Sequence, residues 1–381
     1  MMIMKKTTIV FVLTAIILSV CGCNDNNAQE ETPTQHEWTD KQNMLESIYS
    51  IADEFGMKVI CDLNVGGGGL YPGDPGYIAA LAGISTEAFA QAFGHHPSFW
   101  GWYLNNEINP LRESDAEQTR FWRTLWKDLT AKCHKVAPGS KVTIAPFFIL
   151  DKYGKRNVWP YYEPEEYAAW WEKTLKETGI DVLMLQDSGA EHLSIFTLTD
   201  REPFFKATAD ACAAAGAEFW VDLESAQVFC KDWDEAVSME RGGTKDWRYV
   251  GLGWLKEKLN LAAKYGTNIV NWGYYPVMNP LAKNSGLTAT SIDGYPVNLS
   301  EANANYASYK EYVEDLPETV PAGLKCIPKM SGTLWWLVPN SKNLAVDELY
   351  NAIRREIRGQ RNAGMEYIWI VNAYGSFSVV K

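Results

Sequence analysis

From residue 39 onward the hydrophobic positions switch between two periods. Apolar residues spaced three and four apart predict helices over 42–55, 86–93, 117–135, 165–178, 205–215, 252–264, 304–313 and 346–363. Short apolar runs between them predict strands over 57–63, 99–104, 142–148, 181–185, 218–224, 268–274, 331–338 and 366–371. Gly56, Gly179 and Gly216 stand directly after predicted helices and read as stops. Helix and strand in turn predict a parallel sheet covered by helices. Six strands precede Tyr275 and two follow a proline-rich connection over 317–328, so the pattern predicts an α/β fold, a single TIM (β/α)8 barrel closed by the C-terminal segment. The alternative, a second and truncated barrel starting at Ser331, would leave an open six-stranded sheet with bare apolar edges.

Two strands carry polar residues in telling places. Over 218–224 the alternation is strict, which turns Phe219, Val221 and Leu223 toward the helix layer and Glu218, Trp220, Asp222 and Glu224 into the barrel. The segment 96–107 runs an apolar strand into Asn105, Asn106 and Glu107, where a barrel strand opens into solvent and barrels keep their chemistry. A carboxyl group there, among Trp102, Tyr103 and two amides, has aromatic faces for pyranose rings and partial burial to raise its pKa. The structural alternative is a strand-end Glu that caps the next helix.

Composition changes the picture mainly at the start of the chain. Lys5 and Lys6 precede an apolar run over 9–20 that stops at Cys21-Gly22-Cys23, too short for a permanent span and shaped like an export signal. Val20-Cys21-Gly22-Cys23 resembles a bacterial lipobox, with Cys23 as the lipidation site; an ordinary signal peptide is the alternative. The organisation is then a lipoprotein signal peptide over 1–22, a polar tether over 23–38 and one barrel over 39–381. Lys and Arg number 35 against 47 Asp and Glu, a net charge of −12 that repels nucleic acid and anionic headgroups. Cys61, Cys133, Cys212, Cys230 and Cys326 are widely spaced, with no C-x-x-C, and read as structural thiols. The 16 Trp and 19 Tyr are many, and several fall at predicted strand ends.

HPSFWGWYLNNE over 96–107, with Asn106 directly before Glu107, resembles the fourth-strand motif of the clan of (β/α)8 glycoside hydrolases that keeps its acid/base Glu after strand four and its nucleophile Glu after strand seven. SGTLWWL from Ser331, GWYLNNEIN from Gly101, LMLQDS from Leu183 and WVDLES from Trp220 are similar to a barrel family named domain of unknown function 4434. That family opens on the GT-x-L strand, which here comes seventh. The resemblance therefore implies a circular permutation that moves family strands one and two to the C-terminus. Counted so, Glu107 follows strand four and Glu224 strand seven. The leader is similar to those of surface lipoproteins of Gram-negative glycan degraders, which implies a cell-surface or periplasmic protein touching membrane through its anchor alone.

The resemblance implies a retaining glycoside hydrolase acting on a polysaccharide or oligosaccharide. Glu107 would protonate the leaving oxygen and Glu224 attack the anomeric carbon, with the carboxyl groups roughly 5 to 5.5 Å apart. Asn106 would bond a substrate hydroxyl, and Asp187 would bind hydroxyls or cap a turn. Asn64 at the end of its strand joins the binding set, as do Trp102, Trp272, Tyr274 and one of Trp335 or Trp336 as aromatic platforms. A non-catalytic surface glycan-binding lipoprotein and an inverting hydrolase are the rivals. The glycine run 66–69 lacks the Lys-Ser/Thr of a phosphate loop and reads as a flexible turn, and His95-His96 reads as a turn before a strand. No cofactor and no metal are expected.

Overall fold

The computed structural model describes residues 35–371, apart from 64, 66–67, 157–158, 188–192, 243–244, 273–276, 279–290, 293–294, 297 and 337–345. Eight parallel strands form a closed barrel, each paired with its neighbours in chain order: β1 (Lys58–Asp62), β2 (Phe99–Leu104), β3 (Lys141–Ile144), β4 (Val182–Gln186), β5 (Glu218–Glu224), β6 (Asn268–Trp272), β7 (Gly332–Trp336) and β8 (Tyr367–Val371). The C-terminal segment closes the ring, since β7 lies between β6 and β8, and β8 pairs with β1 through Tyr367 opposite Lys58. This is the TIM barrel that the alternating pattern predicts, with no second barrel begun at Ser331.

The helices among the described residues are α1 (Gln35–Phe55), α2 (Pro75–Phe93), α3 (Ala116–Val136), α4 (Pro164–Thr178), α5 (Leu198–Ala215), α6 (Trp233–Gly242), α7 (Leu252–Tyr265), α8 (Leu299–Glu314) and α9 (Val346–Asn362). The hairpin formed by Ala226–Val228 and Trp247–Tyr249 sits with α6 in the connection between β5 and β6. Helix α1 begins inside the stretch read as a tether and packs beside α9, where Arg354 pairs with Glu54. Helix α2 starts eleven residues before the expected 86, because Pro75 occupies its first turn and Asp74 caps it by accepting from the Tyr77 N–H at 3.0 Å. Helix α5 starts at Leu198 rather than 205, behind a capping box in which Asp200 accepts from the Thr197 N–H at 2.7 Å. Strand β3 is shorter than expected and stops at Ile144, two residues before Pro146, which has no N–H to give a ladder.

Two apolar shells position the site. The outer one joins the strands to the helices and absorbs much of the tryptophan, including Trp122, Trp126, Trp170 and Trp171, packed on one another between α3 and α4. The inner one fills the barrel with Ile60, Tyr103, Val182, Met184, Trp220, Val270, Tyr367 and Trp369. Near the strand starts Trp100 stacks on Trp220 at 5.3 Å and Tyr367 meets both rings edge-on at 5.2 and 4.9 Å, a dry aromatic floor. A bulge in β2 puts Trp100 there: the register slips between Val59 and Ile60, so Trp100 and Tyr103 both pack inward. At Gly101 a Cβ would lie 2.3 Å from the Lys141 carbonyl oxygen, so only glycine admits this approach of β2 to β3.

Deletion of residues 325–381 removes β7 and β8 and bares β6 and β1. The expected outcome is a chain that shows no cooperative urea transition by circular dichroism; a truncated chain that unfolds in a single sharp transition would show that the ring closes without them.

Candidate active site

Above the aromatic floor the barrel turns acidic. Asp62 ends β1, Glu107 follows β2, Asp187 follows β4, and Asp222 and Glu224 stand two residues apart on β5. Asp62, Asp187, Asp222 and Glu224 are each no more than 2% exposed, whereas Glu107 is half-buried and open to the mouth. The alternation read from 218–224 holds: Phe219, Val221 and Leu223 pack in the outer shell and Trp220 in the inner one.

Glu224 is held by its own peptide. Its N–H donates to Asp187 Oδ1 at 2.9 Å, and the Lys258 ammonium, reaching in from α7, donates to its carbonyl oxygen. Lys258 Nζ also lies 3.0 Å from Asp187 Oδ2, which closes the clamp, and both side chains are fully buried. Asp187 is fixed in turn: its N–H donates to the Asp222 carbonyl at 3.0 Å, and Arg201 Nε donates to its own carbonyl at 2.6 Å. The two amino-acid neighbours that anchor Glu224 thus come from β4 and α7, so strand, loop and helix must all be in place before the carboxyl group is.

Burial raises Glu224 well above the ordinary carboxylate range, with repulsion from Asp222 and Asp187 adding to it and Lys258 opposing it. Asp222 is pushed well up in the same way, by burial first and then by Asp187 and Glu107, against Lys258. Glu107 is raised by burial, while Gln186 Nε2, donating to its Oε1 at 2.9 Å, pulls the other way. Burial lowers the Lys258 ammonium and the negative Asp187 works against that. Glu224 feels the charge of Glu107, and Tyr103 feels both Glu107 and Asp222.

The other expected site residues divide. Trp272 is half-buried at the end of β6, in register with Glu224 and 5.5 Å from the Trp247 ring. Asn106 is buried, and its Oδ1 accepts from Trp126 Nε1 at 2.9 Å, so the amide oxygen meant for a substrate hydroxyl is already used on the helix side. Trp102 does not line the mouth. The β2 bulge turns it outward, fully buried, onto Phe89 and Phe99 with its Nε1 donating to Ser140 Oγ at 3.0 Å. Trp335 likewise packs in the outer shell, because its neighbour Leu334 takes the inward place on β7. Asp187 serves neither as an exposed hydroxyl binder nor as a simple turn cap but as the buried partner of Lys258. Tyr274, Asn64 and Cys23 lie outside the described residues, as does the side chain of Trp336.

Lys258, Arg201 and Gln186 were not singled out by sequence reasoning. The first two had a signal: Lys258 shares an apolar stripe with Leu255, Leu259 and Ala262, and Arg201 one with Phe204, Phe205, Thr208 and Cys212. A charge in the middle of a buried face needs a partner.

A family model described as Domain of unknown function (DUF4434) matches residues 2–284. The chain belongs to that family. The match takes in β1 to β6 and the residues Glu107, Asp187 and Glu224. No curated protein matches the chain. Among solved structures it is similar to a Bacteroides thetaiotaomicron protein provisionally assigned as an alpha-L-fucosidase, with 16% identity, 65% of each chain covered and a TM-score of 0.45. The chain therefore spans just under two thirds of that protein's length. It is also similar to an alpha-amylase from Geobacillus thermoleovorans, with 13% identity over 85% of this chain and 72% of that one and a TM-score of 0.37. A third, a 2,3-dimethylmalate lyase, has 11% identity over 88% and 82% and a TM-score of 0.36.

Breaking the clamp from one side strands a buried carboxyl group. Lys258→Met is expected to lower unfolding free energy by about 3 to 5 kcal/mol in urea titrations, and adding Asp187→Asn to recover part of it, since residue 187 then carries no charge to be left unpaired. A single variant as stable as the wild type would mean that the pair does not hold this part of the barrel.

Proposed function

We propose that the protein is a retaining glycoside hydrolase acting on a polysaccharide or oligosaccharide, with Glu107 as acid/base and Glu224 as nucleophile. The observation that carries this is the pair itself: a half-buried Glu107 and a buried Glu224 whose peptide is clamped on both sides, at the C-terminal ends of β2 and β5, with the Glu107 charge felt at Glu224. Glu107, raised by burial and open to the mouth, gives its proton to the glycosidic oxygen as the bond to the leaving group breaks. Glu224 attacks the anomeric carbon and forms a glycosyl-enzyme ester. Glu107, now a carboxylate, takes a proton from the water that attacks the same carbon, and the sugar leaves with Glu224 restored.

Glu224 must be ionised to attack, although its surroundings hold protons tightly. Asp222, as deeply buried and raised in the same way, competes with Glu224 for the retained proton, while the positive Lys258 favours the ionised form of both. Trp272 offers its ring to a sugar bound against Glu224. The family match stops before β7 and β8, and the chain enters through α1, the helix that packs beside α9; both support a circular permutation relative to the family order. Export and lipidation at Cys23 would place the enzyme on a cell surface or in a periplasm, tethered to membrane through that anchor.

A screen of plant and host polysaccharides with reducing-end detection identifies the substrate. On it, Glu107→Gln is expected to lower kcat by roughly 10²- to 10⁴-fold and Glu224→Gln by at least as much, with the product's initial anomer by NMR matching the substrate's. Glycan binding without cleavage by the wild type, or full activity in both variants, overturns the assignment. Asp222→Asn removes a negative neighbour, so Glu224 loses its proton more readily and the acidic limb of the pH–rate profile moves to lower pH; an unmoved limb would clear Asp222 of that role.

A further inference from the structure

Away from the acidic mouth, on the side of the barrel where β2 begins, His95 and His96 form the turn between α2 and β2 and meet Glu46 of α1. His96 is buried and tightly placed. Its ring stacks on Tyr49 at 5.3 Å, and its Nδ1 lies 2.7 Å from Asp53 Oδ2. Asp53 is itself fixed, because its Oδ1 accepts from the Ser98 N–H at 2.7 Å. The His96 Nε2 faces Glu46, both of whose oxygens lie 3.4 Å away.

The His95 ring lies against that of His96, with centroids 4.2 Å apart, and is exposed, as is Glu46. One ligand atom from each of the three residues falls within 4.8 Å of the others. A tetrahedral zinc ion with bonds of roughly 2.0 to 2.2 Å separates its ligands by about 3.4 Å, the spacing already present between His96 and Glu46. An Asp that fixes the other nitrogen of a ligating imidazole is the usual support of such a site. We propose that Glu46, His95 and His96 bind a divalent transition-metal ion of the Zn²⁺ type, with water in the remaining position, and that the ion pins α1 to the turn before β2.

The ion would stand opposite the catalytic end, since His96 precedes β2 and Glu107 follows it. Its effect is therefore on the attachment of α1, through a contact between residues 50 positions apart in the chain. The sequence pattern conceals it, because an adjacent His pair has no chelate spacing of its own and the third ligand comes from another helix.

The test is calorimetric titration of the purified, tag-free protein with ZnCl2, paired with thermal unfolding. The wild type is expected to bind one equivalent and unfold at higher temperature with the metal present. His95→Ala and Glu46→Gln change exposed side chains, leave the His96–Asp53 contact in place, and are each expected to weaken binding by roughly tenfold or more and abolish the thermal shift. Absence of binding in the wild type, or undiminished binding in either variant, overturns the proposal; the second result would point instead to thiols such as Cys230 and Cys326.

Discussion

The contact on which the rest of this barrel's chemistry depends is the buried pair of Lys258 and Asp187. Neither side chain reaches water, so each is tolerable inside the protein only because of the other. Between them they take both hydrogen-bonding groups of the Glu224 peptide, the N–H by Asp187 and the carbonyl by Lys258. A strand-end residue ordinarily has a backbone free to follow its loop. Here the loop after β4 and the middle of α7 fix it, and Arg201 of α5 secures the loop from behind. A reacting carboxyl group gains from such support, since a nucleophile displaced by about 1 Å loses orders of magnitude in rate.

The electrostatics of the mouth follow from what lies beneath it. Trp100, Trp220 and Tyr367 seal the strand starts, and Tyr103 packs edge-on against Trp369 at 4.9 Å just above them. Burial is the largest cause of the raised affinity for protons at Asp222, Glu224 and Glu107 alike. The same burial works against Lys258, which is why one ammonium does not neutralise the cluster. Differences between the carboxyl groups then come from small asymmetries: Glu107 is open and receives an amide from Gln186, while Asp222 is closed and receives none at Oδ1.

How much of this the sequence reveals depends on the range of the interaction. The eight strands were legible because barrel strands are short apolar runs between amphipathic helices, and the inward face of β5 because Glu218 to Glu224 alternate without a break. The β2 bulge was not legible. One extra residue at Trp100 sends Trp100 and Trp102, which a regular strand would turn to the same face, to opposite faces, and nothing in FWGWYL marks it beyond a glycine that β3 forces by its closeness. The helix starts at Pro75 and Leu198 were missed because Gly76, Gly83 and Pro203 lower helix propensity inside helices that tertiary packing sustains. Long-range pairs lie further out of reach: Lys258 is 71 positions from Asp187, and only its place on an apolar stripe hints that it has a partner.

Closure of the ring by β7 and β8 also bears on where the chain can be opened. A closed parallel barrel has no edge, so the cyclic order of its strands matters to stability and the starting point does not. Strand β8 ends on the same side as Glu107, and α1, running back against the strands to β1, starts from that side as well. If the strand order is permuted as proposed, the break falls among the loops on the Glu107 side, where loop variation is tolerated, and spares the aromatic floor and the turn at His96. Such a break would free α1, which precedes β1. Its attachments at Glu54 to Arg354 and at Asp53 and Glu46 to His96 are the contacts that hold it in place of the missing connection.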